Sequence, residues 1–290
     1  MTTTGGGGGG KCLKLPPNMI ASSLQNGRIP ESGEFPWIAT VNGRKQFVGN
    51  FKIYVHQCSG VILNKLWILT AAHCVNSDYT YFVQTVQNQL HANHTYFVSD
   101  LFIHPDYEAT DRPIHKFLYD IALLKLELPG IVEMTSSPLV ATTTTTTAGY
   151  FKVNGICLPD KDLVNTDDEL ALFAGFGDID NHRRNDGSVR MGWLKIDKYL
   201  DYHRFGLTIR AHRFPTKIGV GLCVGDCGGP LIQYVPGIGY SSQAVLIGIN
   251  VGGHTNTCLT NEHYSHMYFT RVSTHVDWII KTVANNNNNN

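Results

Sequence analysis

The apolar residues of this chain occur in short segments separated by glycine-rich turns, and this pattern limits the folds open to it. Phe47–Leu63 mixes aromatic and β-branched residues with glycine turns, Tyr79–Val86 and Tyr96–Ile103 alternate similarly, and Ala244–Val251 is an apolar run of strand length. The chain also holds 29 glycines, and 10% of its residues are aromatic. These features favour a fold of many strands and turns over a helical bundle.

One helix is predicted, near the end of the chain. Thr274 and Asp277 form a capping-box pattern, which marks a helix N-terminus. The apolar residues that follow have the i, i+3, i+4 and i+7 spacing of a single helix face: Val276, Ile279, Ile280 and Val283. We therefore expect a β-rich chain with a C-terminal helix.

Three single-residue runs divide the chain, namely Gly5–Gly10, Thr142–Thr147 and Asn285–Asn290. None of them can bury apolar surface, so each is interpreted as flexible or disordered. The middle run separates two halves of similar length and is interpreted as a linker between two subdomains. A length of 290 residues is consistent with one large or two small domains.

Charge and hydropathy argue against several classes of protein. The 23 basic and 23 acidic residues cancel, whereas a nucleic-acid-binding protein usually carries a basic excess. No run of about 18 apolar residues occurs, which argues against a transmembrane helix. We expect a monomer with no nucleic-acid or membrane partner, and with no metal or other cofactor.

The cysteine pattern favours an exported protein with disulfide bonds. The chain has 7 cysteines, an odd number that predicts pairs and one remaining thiol. No CxxC pair occurs, which disfavours a zinc ribbon or a thioredoxin motif. Residues 1–10 lack the basic and apolar regions of a signal peptide, and we favour a missing or altered start as the explanation.

Three short segments hold the residues that could carry out catalysis. They are Leu69-Thr70-Ala71-Ala72-His73-Cys74, Asp120-Ile121-Ala122-Leu123-Leu124-Lys125-Leu126 and Gly225-Asp226-Cys227-Gly228-Gly229-Pro230. Singly, each has an ordinary structural explanation, such as a core histidine, a turn aspartate or a buried small cysteine. Their order and flanking residues together make coincidence a poor explanation.

This set resembles the trypsin- and chymotrypsin-like serine proteases, the S1 peptidase family, over about residues 24–284. The order His, Asp, nucleophile is that of chymotrypsin. Further segments support the resemblance: Gly33-Glu34-Phe35-Pro36-Trp37, Cys58-Ser59-Gly60, Trp67-Ile68-Leu69, Gly155-Ile156-Cys157-Leu158-Pro159, Gly175-Phe176-Gly177, Phe269-Thr270-Arg271-Val272 and Trp278-Ile279.

The resemblance implies an all-β fold of two antiparallel six-stranded β-barrels with a C-terminal helix, and a site in the cleft between the barrels. The first barrel is expected at about 24–140, the threonine-rich linker at about 141–148, and the second barrel with the helix at about 149–284. Residues 1–23 are then a low-complexity, pro-like segment, and residues 285–290 are a poly-Asn tail.

The resemblance also implies roles for the motif residues. His73 is the general base, and Asp120 holds its imidazole and stabilises the charged form. The backbone N–H groups of Gly225 and Cys227 form the oxyanion hole.

Cys227 stands where the family has its nucleophilic serine. A thiol beside a histidine can act as a nucleophile, but it is larger than a hydroxyl and misplaces the reacting atom relative to the oxyanion hole. Cys227 can therefore be interpreted in three ways. It is a working nucleophile, it is merely tolerated in a pseudo-protease, or it is an engineered Ser→Cys substitution.

The specificity pocket departs from the family as well. Its base is expected at Gly221, where trypsin-like enzymes have Asp, and Met267 stands at a wall position that is normally glycine. The segment that pairs with the substrate backbone reads Val251-Gly252-Gly253, with Gly253 at the pocket. We expect the Met267 side chain to fill the pocket.

Activation differs from the family pattern too. Members of the family become active when the chain is cleaved after Arg or Lys. The new N-terminal amine then pairs with the aspartate beside the nucleophile, here Asp226. The equivalent start is Leu24-Gln25-Asn26-Gly27, preceded by Ser23 rather than a basic residue. Arg28-Ile29 is a cleavable-looking alternative that lies four residues too late.

By resemblance, the expected disulfides are Cys58–Cys74, Cys223–Cys258 and Cys12–Cys157, which leaves Cys227 as the free thiol. Asn93-His94-Thr95 is a glycosylation sequon on an expected surface loop.

Two functions compete. One is a secreted homologue with little or no peptidase activity that binds or regulates a protein or peptide partner, and this is the reading we favour. The other is an active endopeptidase that uses Cys227, or a serine mutated to it, with His73 and Asp120.

Overall fold

A computed structural model describes the chain in segments. The described residues are 14–15, 29–31, 34–46, 52–85, 94–108, 117–132, 153–161, 163, 169–178, 187–197, 206–213, 222–236, 242–253 and 266–287. The predicted linker at 142–147 lies outside them, as do the predicted site residues Cys12, Asn93, Gly221 and Cys258.

The first half of the described chain forms a closed six-stranded barrel, with strand order β2-β3-β4-β7-β6-β5. Every pair of neighbouring strands in it is antiparallel. The strands are β2 (Ile38–Gln46), β3 (Lys52–Asn64), β4 (Trp67–Thr70), β5 (Thr80–Thr85), β6 (His94–Ile103) and β7 (Ala122–Leu126).

The second half forms another six-stranded barrel, in the order β12-β11-β8-β9-β10-β13, which the β12–β13 pairing closes. A short strand β1 (Lys14–Leu15) adds to β12 at the edge of this sheet. The barrel strands are β8 (Leu170–Gly175), β9 (Arg190–Ile196), β10 (Thr208–Arg213), β11 (Pro230–Pro236), β12 (Ser242–Gly253) and β13 (Met267–Arg271).

The expected fold of two six-stranded antiparallel barrels is confirmed, and strands β3, β5, β6 and β12 occupy the four predicted segments. One buried apolar cluster runs from the first barrel into the second, and a smaller cluster fills the interior of the second barrel. Burial of these apolar side chains is the main favourable contribution to the fold. No helix among the described residues is long and apolar enough to cross a membrane.

The C-terminal helix α1 (Val276–Asn287) follows a 3-10 turn at Val272–His275. The predicted capping box at Thr274 is wrong, because α1 begins two residues later and the Thr274 hydroxyl donates to the carbonyl of Arg271 at 2.8 Å. The apolar face is also narrower than expected. Ile279 is buried, but Ile280 is 56% exposed.

The interpretation of the poly-Asn run as disordered is wrong for its first three residues, which form the last turn of α1. Asparagine is a weak helix former, so tertiary contacts must compensate. The Trp67 indole N–H donates to Asn287 Oδ1 at 2.7 Å, and Lys125 Nζ donates to the Asn286 carbonyl at 2.8 Å. The helix end is thereby attached to the first barrel.

Candidate active site

The local chain path places His73 at the end of strand β4. A 3-10 turn, Ala72–Cys74, follows the strand, and a disulfide joins Cys74 to Cys58 in β3 with a Cα–Cα distance of 6.2 Å. The expected Cys58–Cys74 pairing is thus confirmed. The bridge fixes the turn that carries His73 against the barrel wall.

Asp120 holds the His73 imidazole in one orientation. Its Oδ2 lies 2.7 Å from His73 Nδ1, and its Oδ1 accepts the backbone N–H of His73 at 2.9 Å. The aspartate side chain is only 2% exposed, while that of His73 is 30% exposed. A carboxylate acceptor at Nδ1 favours the tautomer that leaves Nε2 free to accept a proton.

Asp120 also connects the two barrels. The hydroxyl of Thr270 in β13 donates to the Asp120 carbonyl at 2.8 Å. The preceding residue, Tyr119, has a φ of 54°, a backbone conformation that costs about 1–3 kcal/mol when a non-glycine residue adopts it. The strained turn and the cross-barrel bond together orient the carboxylate towards His73.

Cys227 lies in the loop before β11, close enough to His73 to influence the pKa of its ring. It is the free cysteine among the described residues and is partly buried. Burial lowers the pKa of His73, but the charge of Asp120, the hydrogen bond to it and the hydrogen bond with the Cys227 thiol outweigh this effect. The net result is a pKa well above the ordinary histidine value. Such a group readily accepts and stabilises a proton.

The loop that carries Cys227 packs closely against strand β3. The backbone N–H of Ser59 donates to the Cys227 carbonyl at 2.8 Å, and the Ser59 hydroxyl donates to the Gly225 carbonyl at 3.0 Å. A Cβ atom on Gly228 would lie 2.1 Å from the Ser59 carbonyl oxygen, and φ at Gly228 is +82°. Both facts require glycine at that position.

Two backbone N–H groups of this loop are available to a ligand. The N–H groups of Gly225 and Cys227 donate to no acceptor in the described part of the chain, whereas that of Gly228 donates to the Asn250 carbonyl at 2.7 Å. An oxyanion hole requires free backbone donors of this kind, so the predicted oxyanion-hole role of Gly225 and Cys227 stays a prediction.

Asp226 is directed into the protein, away from the cleft. Its carboxylate accepts the N–H of Gly177 and the N–H of Cys223, each at 2.8 Å. Burial raises the pKa of Asp226 to about 7, although these two hydrogen bonds oppose the rise. A Cβ on Gly175 or Gly177 would approach the carboxyl to 2.0 or 2.4 Å, so only glycine fits there.

The predicted pocket residues are placed only in part. Met267 is fully buried in the apolar cluster of the second barrel, and it pairs in register with Gly253 at the end of β12. Val251 is buried, and Gly252 has a φ of +124°. Because Gly221 lies outside the described residues, the role of Met267 in a pocket stays a prediction.

The remaining cysteines agree with a disulfide-rich protein. Cys157 and Cys223 are each in a disulfide, while the predicted pairings Cys12–Cys157 and Cys223–Cys258 each involve a residue outside the described segments. Among the described residues, one cluster has metal-ligating side chains in close proximity, namely Cys58, His73 and Cys74. Its two sulfur atoms are bonded to each other, so they offer no thiolate to a metal.

Sequence reasoning missed the role of Ser59, a fully buried residue. Besides donating to Gly225, its hydroxyl accepts the Phe176 N–H at 3.1 Å. Thr70 supports it by donating to the Ser59 carbonyl at 2.9 Å. The available signal was a polar residue between Cys58 and Gly60 in an apolar strand.

Comparison with known proteins agrees with this geometry. The Trypsin family model matches residues 24–279. The venom peptide isomerase heavy chain of Agelenopsis aperta is 27% identical over 283 residues, which cover 89% of this chain and 99% of the relative. Coagulation factor IX of Oryctolagus cuniculus is 26% identical over 267 residues, covering 87% and 82%.

A solved structure described as "Structure of GrC" superposes with a TM-score of 0.63 at 21% identity, covering 89% of this chain and 98% of that one. At this identity the likeness concerns the fold alone. The family model spans both barrels and all three motif segments. The chain therefore belongs to the trypsin family.

Proposed function

We propose that this chain is a secreted trypsin-family homologue with little or no general endopeptidase activity, which binds a protein or peptide partner through its cleft. The observation that carries the proposal is the thiol of Cys227 at the position of the family's serine, beside an intact His73–Asp120 pair. A thiol is bulkier than a hydroxyl, and about 1 Å of misplacement costs on the order of 100-fold in rate.

The environment of Asp226 supports the same proposal. Its carboxylate accepts two backbone N–H groups, and burial raises its pKa more than these bonds and the charge of Arg190 lower it. Its pKa of about 7 means that the carboxyl is largely neutral below that pH. Below that pH the carboxyl is a weaker partner for the ammonium group that organises an activated family member.

The names of the two relatives support a peptide or protein partner. One is named for the isomerisation of a venom peptide and the other for coagulation. The disulfides at Cys58, Cys74, Cys157 and Cys223 support export to an oxidising compartment.

One observation favours a second candidate, a thiol endopeptidase. The Cys227 thiol lies close enough to the His73 ring to contribute to the rise in its pKa, and a thiol beside an imidazole is the arrangement that activates a cysteine nucleophile. The two N–H donors of the loop then serve the thioester-forming step.

A broad peptide library distinguishes the candidates. We expect no cleavage by the full chain, with or without iodoacetamide, and no difference between the wild type and His73→Ala. Cleavage that both iodoacetamide and His73→Ala abolish would replace the proposed function with the thiol endopeptidase.

A further inference from the structure

Asp120 lies at the centre of a tight turn, between Tyr119 and Ile121. The Ile121 N–H donates to the Tyr119 carbonyl at 2.8 Å, which closes a three-residue turn around the aspartate. Tyr119 has a φ of 54°, a backbone conformation that strains a residue with a bulky side chain. Such strain persists only where the surrounding structure enforces it. The contacts of Tyr119 therefore identify what holds the turn.

His104 contacts both neighbours of Asp120. Its backbone N–H donates to the Ile121 carbonyl at 3.1 Å. Its ring stacks on the Tyr119 ring, with the centroids 5.0 Å apart and the planes inclined by 22°. His104 is buried and follows strand β6 directly. The end of this strand thus supports the turn on both sides of the aspartate.

The start of helix α1 holds the same two rings from another side. The His275 ring packs edge-on, 5.0 Å from the His104 ring and 5.8 Å from the Tyr119 ring. Trp278, in the first turn of the helix, lies 5.0 Å from the His104 ring. Aromatic rings at these separations attract each other beyond the effect of area burial. The Tyr119 ring is thereby fixed by a strand end and by a helix start.

A second contact of the turn acts on the backbone of Asp120 alone. Thr270 donates to its carbonyl at 2.8 Å, which leaves the direction of the side chain to the flanking residues. In the described part of the chain, the contacts of the Tyr119 side chain are made by the ring and not by the hydroxyl. The ring is thus the part of Tyr119 that holds the turn.

We propose that Tyr119 is a positioning residue for Asp120, whose ring, held by His104 and His275, directs the Asp120 carboxylate to His73. The bond at stake joins Asp120 Oδ2 to His73 Nδ1 at 2.7 Å, and its strength depends on its angle. The inference goes beyond the proposed function and does not rest on it, because the pair is positioned whether or not a peptide is cleaved.

The consequence appears in the proton affinity of His73. Burial lowers the pKa of His73, but the charge of Asp120 and the hydrogen bond to it raise this pKa well above the ordinary histidine value. A carboxylate that turns away from the ring gives up part of this effect. Loss of the Tyr119 ring should therefore lower the pKa of His73.

An NMR titration of the histidine rings in the full chain tests the role of Tyr119, and His73→Gln identifies the signal of His73. Tyr119→Phe keeps the ring contacts and should retain the wild-type midpoint. Tyr119→Asn removes the ring, although asparagine suits the left-handed backbone. It should lower the midpoint by about one pH unit, since a neighbouring opposite charge contributes about 1–3.

Tyr79→Asn is the matched control. Tyr79 is also a partly buried tyrosine of the first barrel, but its ring contacts Tyr81 and Lys45. The same substitution there should lower the urea midpoint of unfolding and leave the His73 titration unchanged. This comparison separates positioning of the carboxylate from a general loss of stability.

Three results would overturn the inference. The first is a wild-type His73 midpoint in Tyr119→Asn. The second is an equal fall in Tyr119→Phe, which would assign the effect to the hydroxyl. The third is an equal fall in Tyr79→Asn, which would reduce the effect to lost stability. If Tyr119→Asn does not fold, Tyr119→Leu replaces it, because leucine keeps apolar bulk but offers no ring for His104 to stack on.

Discussion

At the scale of single residues, Ser59 determines how firmly the Cys227 loop is held. Its hydroxyl makes hydrogen bonds with the Gly225 carbonyl and the Phe176 N–H inside the protein. Ser59→Ala removes both bonds and is expected to lower the free energy of unfolding by about 1–3 kcal/mol. Urea unfolding measures the loss.

The matched control for Ser59 is Ser99→Ala. The exposed Ser99 hydroxyl donates to the neighbouring Asp100 carboxylate or to the Lys125 carbonyl, and water can replace it as the donor to both. We expect a change below about 0.5 kcal/mol. Equal losses in the two variants would show that the Ser59 hydroxyl does not hold the loop.

Met267 is the residue expected to block the specificity pocket. Met267→Gly should create space for a substrate side chain and allow a small neutral aromatic, such as benzyl alcohol, to bind. The wild type should bind neither it nor the benzamidine cation. Calorimetric titration with benzyl alcohol provides the measurement. Truncation of a buried methionine should also cost about 2–5 kcal/mol of stability.

Met191 in strand β9 offers the control, because it is equally buried but belongs to the other apolar cluster. Met191→Gly should lose similar stability without gaining benzyl alcohol binding. Binding of benzyl alcohol by the wild type, with the same affinity as Met267→Gly, would refute the blocked pocket.

At the scale of elements, the start of helix α1 contains a buried histidine. His275 is 2% exposed, and its ring lies 5.0 Å from that of His104. Burial, and then the charge of His104, lower the pKa of His275 from 6.5 to about 4. The buried pair is therefore most stable when both rings are neutral.

This shift predicts loss of stability in acid. The unfolded chain takes up a proton on His275 near pH 6.5, while the folded chain does so near pH 4, so the free energy of unfolding falls as the pH drops through this window. The expected contribution is about 3 kcal/mol. Urea unfolding at several pH values should show a flatter profile for His275→Gln.

An exposed histidine provides the comparison for this profile. His94 begins strand β6 at the surface, and His94→Gln should leave the wild-type acid profile unchanged. If the profile of His275→Gln were as steep as that of the wild type, another group would be responsible for the loss of stability in acid.

The last turn of α1 depends on tertiary hydrogen bonds. Asn287→Ala removes the acceptor of the Trp67 indole N–H and should lower the free energy of unfolding by about 1 kcal/mol. Asn285→Ala, at an exposed position of the same turn, should cost much less. Urea unfolding followed by tryptophan fluorescence compares them, and equal losses would contradict docking through Asn287.

At the scale of the whole molecule, the candidate site is assembled where the two barrels meet. His73 and Asp120 come from the first barrel, and Cys227 precedes a strand of the second. Hydrogen bonds cross the boundary from Ser59 to Cys227 and from Thr270 to Asp120. A change in how the barrels pack would therefore separate His73 from Cys227.

The two barrels were predicted from the resemblance that the three local motifs bear to the S1 peptidase family, whereas the apolar pattern alone indicated a β-rich, two-part chain with a C-terminal helix. The sequence could not predict the docking of the poly-Asn turn, since Asn287 contacts Trp67 across 220 residues of chain. The role of Ser59 was equally hidden, because its partners Gly225 and Phe176 are distant in sequence. Local propensity indicates elements, whereas long-range side-chain contacts emerge only in the folded structure.

The most direct test of the central claim compares wild type and Cys227→Ser in kcat/KM on a broad peptide library. The account predicts no turnover by the wild type, because a misplaced nucleophile and a blocked pocket together remove about 10⁴ in rate if they act independently. A gain of activity in Cys227→Ser would make the thiol the limiting defect, and two inert proteins would place the limit in the pocket or in activation. Peptide cleavage by the wild type that iodoacetamide abolishes would contradict the account.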